Sequence, residues 1–130
     1  YWRIYTRCIA SGHFDILAHP DLPKKFGFRP EGALAHYYEP AIAAAAEADI
    51  CFEINTAGLR KEVAEMYPSR EFLTLAQAAG IPLVISSDAH APEEVGADFG
   101  QAAALAREVG YTELATFERR QRGSMALPGS

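Results

Sequence analysis

Three side chains able to bind a metal or move a proton stand at alternate positions behind an apolar run. They are Ser86, Asp88 and His90, and the run is Leu83, Val84 and Ile85. It opens at Pro82 and is partly β-branched, which predicts a short buried strand. Side chains alternate between the faces of a strand, so a pleat kept to the end puts all three on one side. A carboxylate and an imidazole two residues apart can bind one metal ion or bridge two. Taken alone, D-x-H also fits a His capping a loop and an Asp opening the next helix. Two other predicted strands end in the same way. Over residues 14–19, Asp15, Leu17 and His19 share a face; over 50–55, Cys51, Glu53 and Asn55 share one, with Phe52 and Ile54 opposite. A face packed on helices would be apolar, so the polar endings predict one shared site in a barrel interior or a crevice.

The elements around these endings alternate. Residues 1–11 read as an amphipathic helix with Trp2, Tyr5, Cys8 and Ile9 on one stripe and Gly12 as its stop. Prolines and glycines make 20–27 a loop. Residues 31–49 are helical in composition, and Pro40 is expected to split them into a short helix and a longer one. Ser69 can cap a helix over 70–79 that ends at Gly80, and Asp98 can open one running through Glu108 to Gly110. A last strand is expected near 113–117, followed by a basic, frayed tail over 119–130. Strands alternating with helices predict right-handed βαβ units and a parallel sheet. Four strands make a small open sheet or part of a (β/α) barrel, because a closed barrel needs about 200 residues or more and the chain has 130.

Composition narrows the classes. With 49% hydrophobic residues, 22% charged and a formal net charge of -5, the chain is one globular domain's worth of sequence without a general attraction for nucleic acid. Cys8 and Cys51 sit in apolar segments, as small buried hydrophobes of a reducing compartment do. No apolar run is long enough for a bilayer and the first residues do not read as a signal peptide, so a cytoplasmic location is expected.

The segments Ala18-His19-Pro20-Asp21-Leu22-Pro23-Lys24-Lys25-Phe26-Gly27, Glu53-Ile54-Asn55-Thr56-Ala57-Gly58-Leu59-Arg60 and Ser87-Asp88-Ala89-His90 resemble the later motifs of the PHP (polymerase and histidinol phosphatase) family. The match is closest to its histidinol-phosphatase branch and runs over roughly residues 12–96. The resemblance implies an α/β fold, with residues 1–118 as the parallel-stranded C-terminal part of a (β/α)7 distorted TIM-like barrel. It also implies a centre of usually three zinc, manganese or iron ions, and hydrolysis of histidinol phosphate in histidine biosynthesis. By position, His19, Asp88 and His90 resemble metal ligands, and Arg60 resembles the arginine near the substrate phosphate. Lys24 and Lys25 lie where the branch places further cationic groups. The family's opening H-x-H pair, its bridging glutamate and at least one more histidine have no counterpart in the sequence. The chain is therefore expected to be the C-terminal half of such an enzyme, inactive alone, and to associate with the missing half or with itself.

Phosphomonoester hydrolysis needs a nucleophile at neutral pH and compensation for charge on the transferring phosphoryl group. Metal-bound water with a pKa of about 7 supplies the first, and cations with a bidentate guanidinium supply the second. On this reading His19, Asp88 and His90 hold metal, Asp88 can also receive the leaving-group proton, and Arg60, Lys24, Lys25 and Asn55 contact substrate. Asp21 is placed to orient a metal ligand from behind. Glu53 belongs to the site or to an internal polar layer. His13 reads as a helix-end or surface residue, His36 as packing or solvent-facing, and Tyr67-Pro68 as a turn. Two alternatives stand beside the phosphatase: a PHP-type phosphoesterase or nuclease on another substrate, and a non-catalytic α/β module binding a partner through an exposed sheet edge.

Overall fold

The computed structural model describes residues 1–127. Helix α1 (Trp2–Ala10) leads to strand β1 (Ile16–Leu17), helix α2 (Ala35–Ala48) to β2 (Cys51–Asn55), helix α3 (Arg70–Ala78) to β3 (Leu83–Ser86), and helix α4 (Phe99–Val109) to the hairpin β4 (Glu113–Glu118) and β5 (Gln121–Ala126). The first three strands form a parallel sheet in the order β1-β2-β3, with Leu17 opposite Phe52 and Asn55 opposite Ser86. Among the described residues, no helix is long and apolar enough to cross a membrane.

Period two sorts β2 as expected. Phe52 joins a core with Tyr5, Ile9, Tyr38, Ile42 and Phe72 from the helices, and Ile54 joins a second with Leu73, Leu83, Ala102 and Ala106. Glu53 and Asn55 point the other way and are also buried. The α1 stripe holds as well: Tyr5 and Ile9 are buried, and Trp2 packs edge-on to Tyr38 at 5.0 Å. Gly12 follows the helix with φ 70°, the left-handed stop that glycine takes without strain. Ser69 caps α3, accepting from the Phe72 N–H at 3.4 Å.

Two expectations fail. Pro40 does not divide α2, which runs unbroken with Pro40 inside it. A proline there forfeits one bond to the turn before it, but Tyr38, Ala41, Ile42 and Ala45 keep the buried face of α2 intact across the position. The basic tail is not frayed where it is described. Gln121–Ala126 pairs antiparallel with Glu113–Glu118, so the fourth strand belongs to a hairpin and not to the parallel sheet. Arg119 (φ 49°) and Arg120 (φ 64°) occupy the two turn positions, where a tight hairpin needs positive φ and usually shows Asn-Gly. Ion pairs hold the hairpin down: Arg120 to Asp15 at 2.8 Å and Arg122 to Asp49 at 2.7 Å. The last three residues of the expected tail, 128–130, lie outside the described residues.

Candidate functional site

The polar cluster forms where the three parallel strands end. Glu53 and Asn55 project from the same face of β2, and Asn55 Nδ2 donates to Glu53 Oε2 at 3.1 Å. Asn55 Oδ1 accepts from the Ala57 N–H at 2.9 Å, capping a short 3-10 helix at Thr56–Arg60. That bond fixes the amide, leaving the other Nδ2 proton aimed at His19 Nε2, 3.0 Å away. His19 is not in a strand. Its φ is 51°, which reverses the chain past β1, and its N–H donates to Glu53 Oε2 at 3.2 Å. From the far side Asp88 brings Oδ2 to 3.2 Å from His19 Nε2. Asp88 is also reversed, at φ 47°, with its N–H on Ser86 Oγ at 3.2 Å. The pleat that was expected to align Ser86, Asp88 and His90 therefore stops at Ser86.

The His19 nitrogen has conflicting neighbours. Asn55 Nδ2 can only donate to Nε2 and the Asp88 carboxylate can only accept from it, so no neutral tautomer of the ring satisfies both neighbours. A metal ion shared by His19 and Asp88 would take the Nε2 lone pair and meet the carboxylate, displacing the Asn55 proton from that nitrogen. Two ligands each about 2.0–2.2 Å from one ion can lie about 3 Å apart, and the ring orientation suits the task. Nδ1 stands 3.8 Å from Glu53 Oε2, on the side from which carboxylates orient metal-binding histidines. Two donors fit; a full set is not assembled. Among the described residues no group of three or more His, Cys, Asp or Glu side chains is gathered to hold a metal ion.

His90 stands apart, with 79% of its side chain exposed. Its Nδ1 lies 2.7 Å from the Asp88 carbonyl and its N–H donates to Glu94 Oε2 at 2.7 Å. A ring that donates from Nδ1 keeps the Nε2 lone pair free.

The expected phosphate contacts are dispersed. Lys24 is buried, with its ammonium on the Met66 carbonyl at 2.6 Å, Asp21 at 3.0 Å and Glu65 at 3.5 Å. Those three acceptors surround the ammonium, so Lys24 ties the Asp21 loop to the segment of Glu65 and Met66. Lys25 is exposed and lies over the Phe26 ring. Asp21 does not orient His19. Its Oδ2 accepts from the Ser69 N–H at 2.8 Å as well as from Lys24, and its Oδ1 has no partner. Burial pushes the Asp21 carboxyl up, against the pull of Lys24. Arg60 donates to the Ser87 carbonyl at 2.7 Å and lies 3.7 Å from Glu94 and 3.8 Å from Asp98; its Nη1 has no hydrogen-bond partner. Tyr67, beside His19 at 6.0 Å between ring centroids, has a buried hydroxyl without a partner. Burial raises its phenol pKa, and the Asp21 and Asp88 charges add to this. His13 and His36 are exposed, each against its neighbouring aromatic ring. Glu94 was missed in the sequence, because an acid in the first turn after Pro92 carries no sign that it faces an arginine.

A His-Asp-Asn-Glu cluster thus stands at the carboxyl ends of the parallel strands of a mixed α/β chain, the end where such sheets place their sites. No protein-family model matches the chain. It is 40% identical over 122 residues to a Deinococcus radiodurans protein named probable histidinol-phosphatase, an alignment covering 93% of this chain and 45% of that protein. A Schizosaccharomyces pombe protein of the same name is 30% identical over 118 residues, covering 89% of this chain and 38% of the relative. The chain thus spans less than half the length of these curated relatives, and it belongs to a histidinol-phosphatase-type family.

Proposed function

We propose that the chain is part of a metal-dependent phosphomonoester hydrolase acting on histidinol phosphate, with its parallel sheet forming part of a (β/α)7 barrel. The observation that carries the metal is the meeting of two groups able to bind one ion, His19 Nε2 and Asp88 Oδ2, 3.2 Å apart where the parallel strands end. The names of the relatives support the substrate. His19 and Asp88 hold a divalent ion (zinc, manganese or iron), and Glu53 holds the His19 backbone through its N–H. His90, with Nε2 free, is a further ligand. A bound ion in such a site supplies hydroxide at neutral pH and polarises the phosphoryl oxygens. Arg60 is the group for the phosphate, from its place on the short helix that follows the Asn55 strand end and its bond to the Ser87 carbonyl beside Asp88.

Titrating the chain with Zn²⁺ or Mn²⁺ by calorimetry tests the assignment. His19→Ala and Asp88→Asn each remove a ligand, and each should weaken binding at least about tenfold, the lower end of what losing even a supporting residue costs. A wild-type chain that binds neither ion, or variants that bind as tightly as wild type, would overturn it.

A further inference from the structure

The turn from Ser87 to His90 carries two of the proposed ligands, yet it lies beyond the end of β3 and holds Asp88 at φ 47°. A left-handed aspartate persists only where its surroundings impose it. Two side chains grip this turn from outside. At its start Arg60 Nη2 donates to the Ser87 carbonyl at 2.7 Å; at its end Glu94 Oε2 accepts from the His90 N–H at 2.7 Å. The same two side chains face each other, with Arg60 Nε 3.7 Å from Glu94 Oε1. Ser87 Oγ accepts from the Gly96 N–H at 3.2 Å, closing the loop beyond Glu94 back onto the turn.

We propose that Glu94 is a positioning residue of the site: with Arg60 it brackets the Ser87–His90 turn and so sets Asp88 against His19. Glu94 contacts neither ring nitrogen of His19 nor the carboxylate of Asp88, so it acts only through the turn. The His90 N–H, and next to it the Arg60 charge, keep the Glu94 carboxyl below its usual range, so the bracket is a charged one. The consequence for metal rests on the reading of Asp88 and His90 as ligands; the consequence for the turn does not.

The test is amide hydrogen exchange on the metal-free chain, followed by Zn²⁺ titration of the same samples. In Glu94→Ala the His90 amide should exchange about tenfold faster, while the Phe52 and Ile54 amides of β2 keep their wild-type rates. Glu94→Gln keeps an acceptor for His90 but drops the charge facing Arg60. It should show a smaller acceleration, and it carries the test if the alanine variant does not fold. Zn²⁺ affinity should fall about 10- to 100-fold in Glu94→Ala. An unchanged His90 exchange rate overturns the proposal. Faster exchange with unchanged Zn²⁺ affinity overturns its link to the site. If the wild-type chain binds no Zn²⁺, the metal reading fails, and the exchange rates still decide whether Glu94 holds the turn.

Discussion

Replacing Lys24 by methionine separates a phosphate-binding lysine from a buried tie. The Lys24 side chain is 5% exposed, and its ammonium is bound by the Met66 carbonyl, Asp21 and Glu65. Methionine keeps the apolar stem and removes all three contacts. Glu65 loses little, since it also holds Arg29 at 2.7 Å. Asp21 is left buried with only the Ser69 N–H, its other oxygen being already without a partner. Removing one member of a buried ion pair costs about 3–5 kcal/mol. Burial already pushes the Asp21 carboxyl up, so proton uptake caps the cost near the lower end, at about 3 kcal/mol. That is a large share of the roughly 5–15 kcal/mol that stabilises an ordinary domain. With a urea m-value of about 1–3 kcal/mol/M, the midpoint should fall by at least about 1 M. Trp2, the single tryptophan, packs on Tyr38 and Phe72 and reports the transition by fluorescence. Adding Asp21→Asn to Lys24→Met removes the stranded charge and should recover much of the loss. A Lys24→Met chain within about 0.5 kcal/mol of wild type, but with weakened binding of inorganic phosphate, would refute the reasoning and restore Lys24 to the substrate.

Two other perturbations test the surroundings of the site. Arg29, before any other group, holds the Glu65 carboxyl below its ordinary value of 4.5. The stabilisation is therefore present above pH 4.5 and is lost as pH falls through the lower folded value. Because Glu65 is nearly half exposed, its worth is about 0.2–1 kcal/mol. Urea midpoints of wild type and Glu65→Gln should differ at neutral pH and draw together as pH falls below the lowered folded value, where both side chains are uncharged. A gap that does not narrow at all as pH falls from 4.5 would assign the effect to packing. A Cβ on Gly58 would stand 1.9 Å from the Glu65 carbonyl oxygen and 2.9 Å from the Tyr67 ring. Gly58→Ala should thus cost about 1–3 kcal/mol, and wild-type stability in that variant would show that the two segments do not approach so closely.

What the sequence disclosed follows from which signals are local. The stripe of α1, the Ser69 cap and the alternation of β2 each depend on a few adjacent side chains and are present as expected. Pro40 misleads because the local penalty is real but smaller than the packing it opposes. The hairpin misleads for the opposite reason. Arg119 and Arg120 give no turn signal, and their neighbour Arg122 finds its partner, Asp49, 73 residues away. Lys24 and Lys25 look equivalent in sequence. Only the meeting of the Asp21 loop with Glu65 and Met66 makes one a buried tie and leaves the other in solvent.

The site was legible for a reason that the pleat alone does not supply. Period two holds through Asn55 because β2 is the central strand, paired with β1 at Cys51 and Phe52 and with β3 from Phe52 to Asn55. The neighbours β1 and β3 are edges of this sheet and stop at Leu17 and Ser86. Past each end a single left-handed residue, His19 or Asp88, turns the chain. Asp and His are among the residues that accept that conformation most readily, so the types that can bind a cation are also those that can make the reversal. His19 reaches the cluster because its reversal points its N–H at Glu53 and its ring at Asn55. Asp88 reaches it because Ser86 takes its N–H and Arg60 holds the carbonyl before it. His90, two residues on, has no strand to align it and hangs from Glu94. Strand ends thus predict which segments meet, while the reversals at the two edges decide which side chains do.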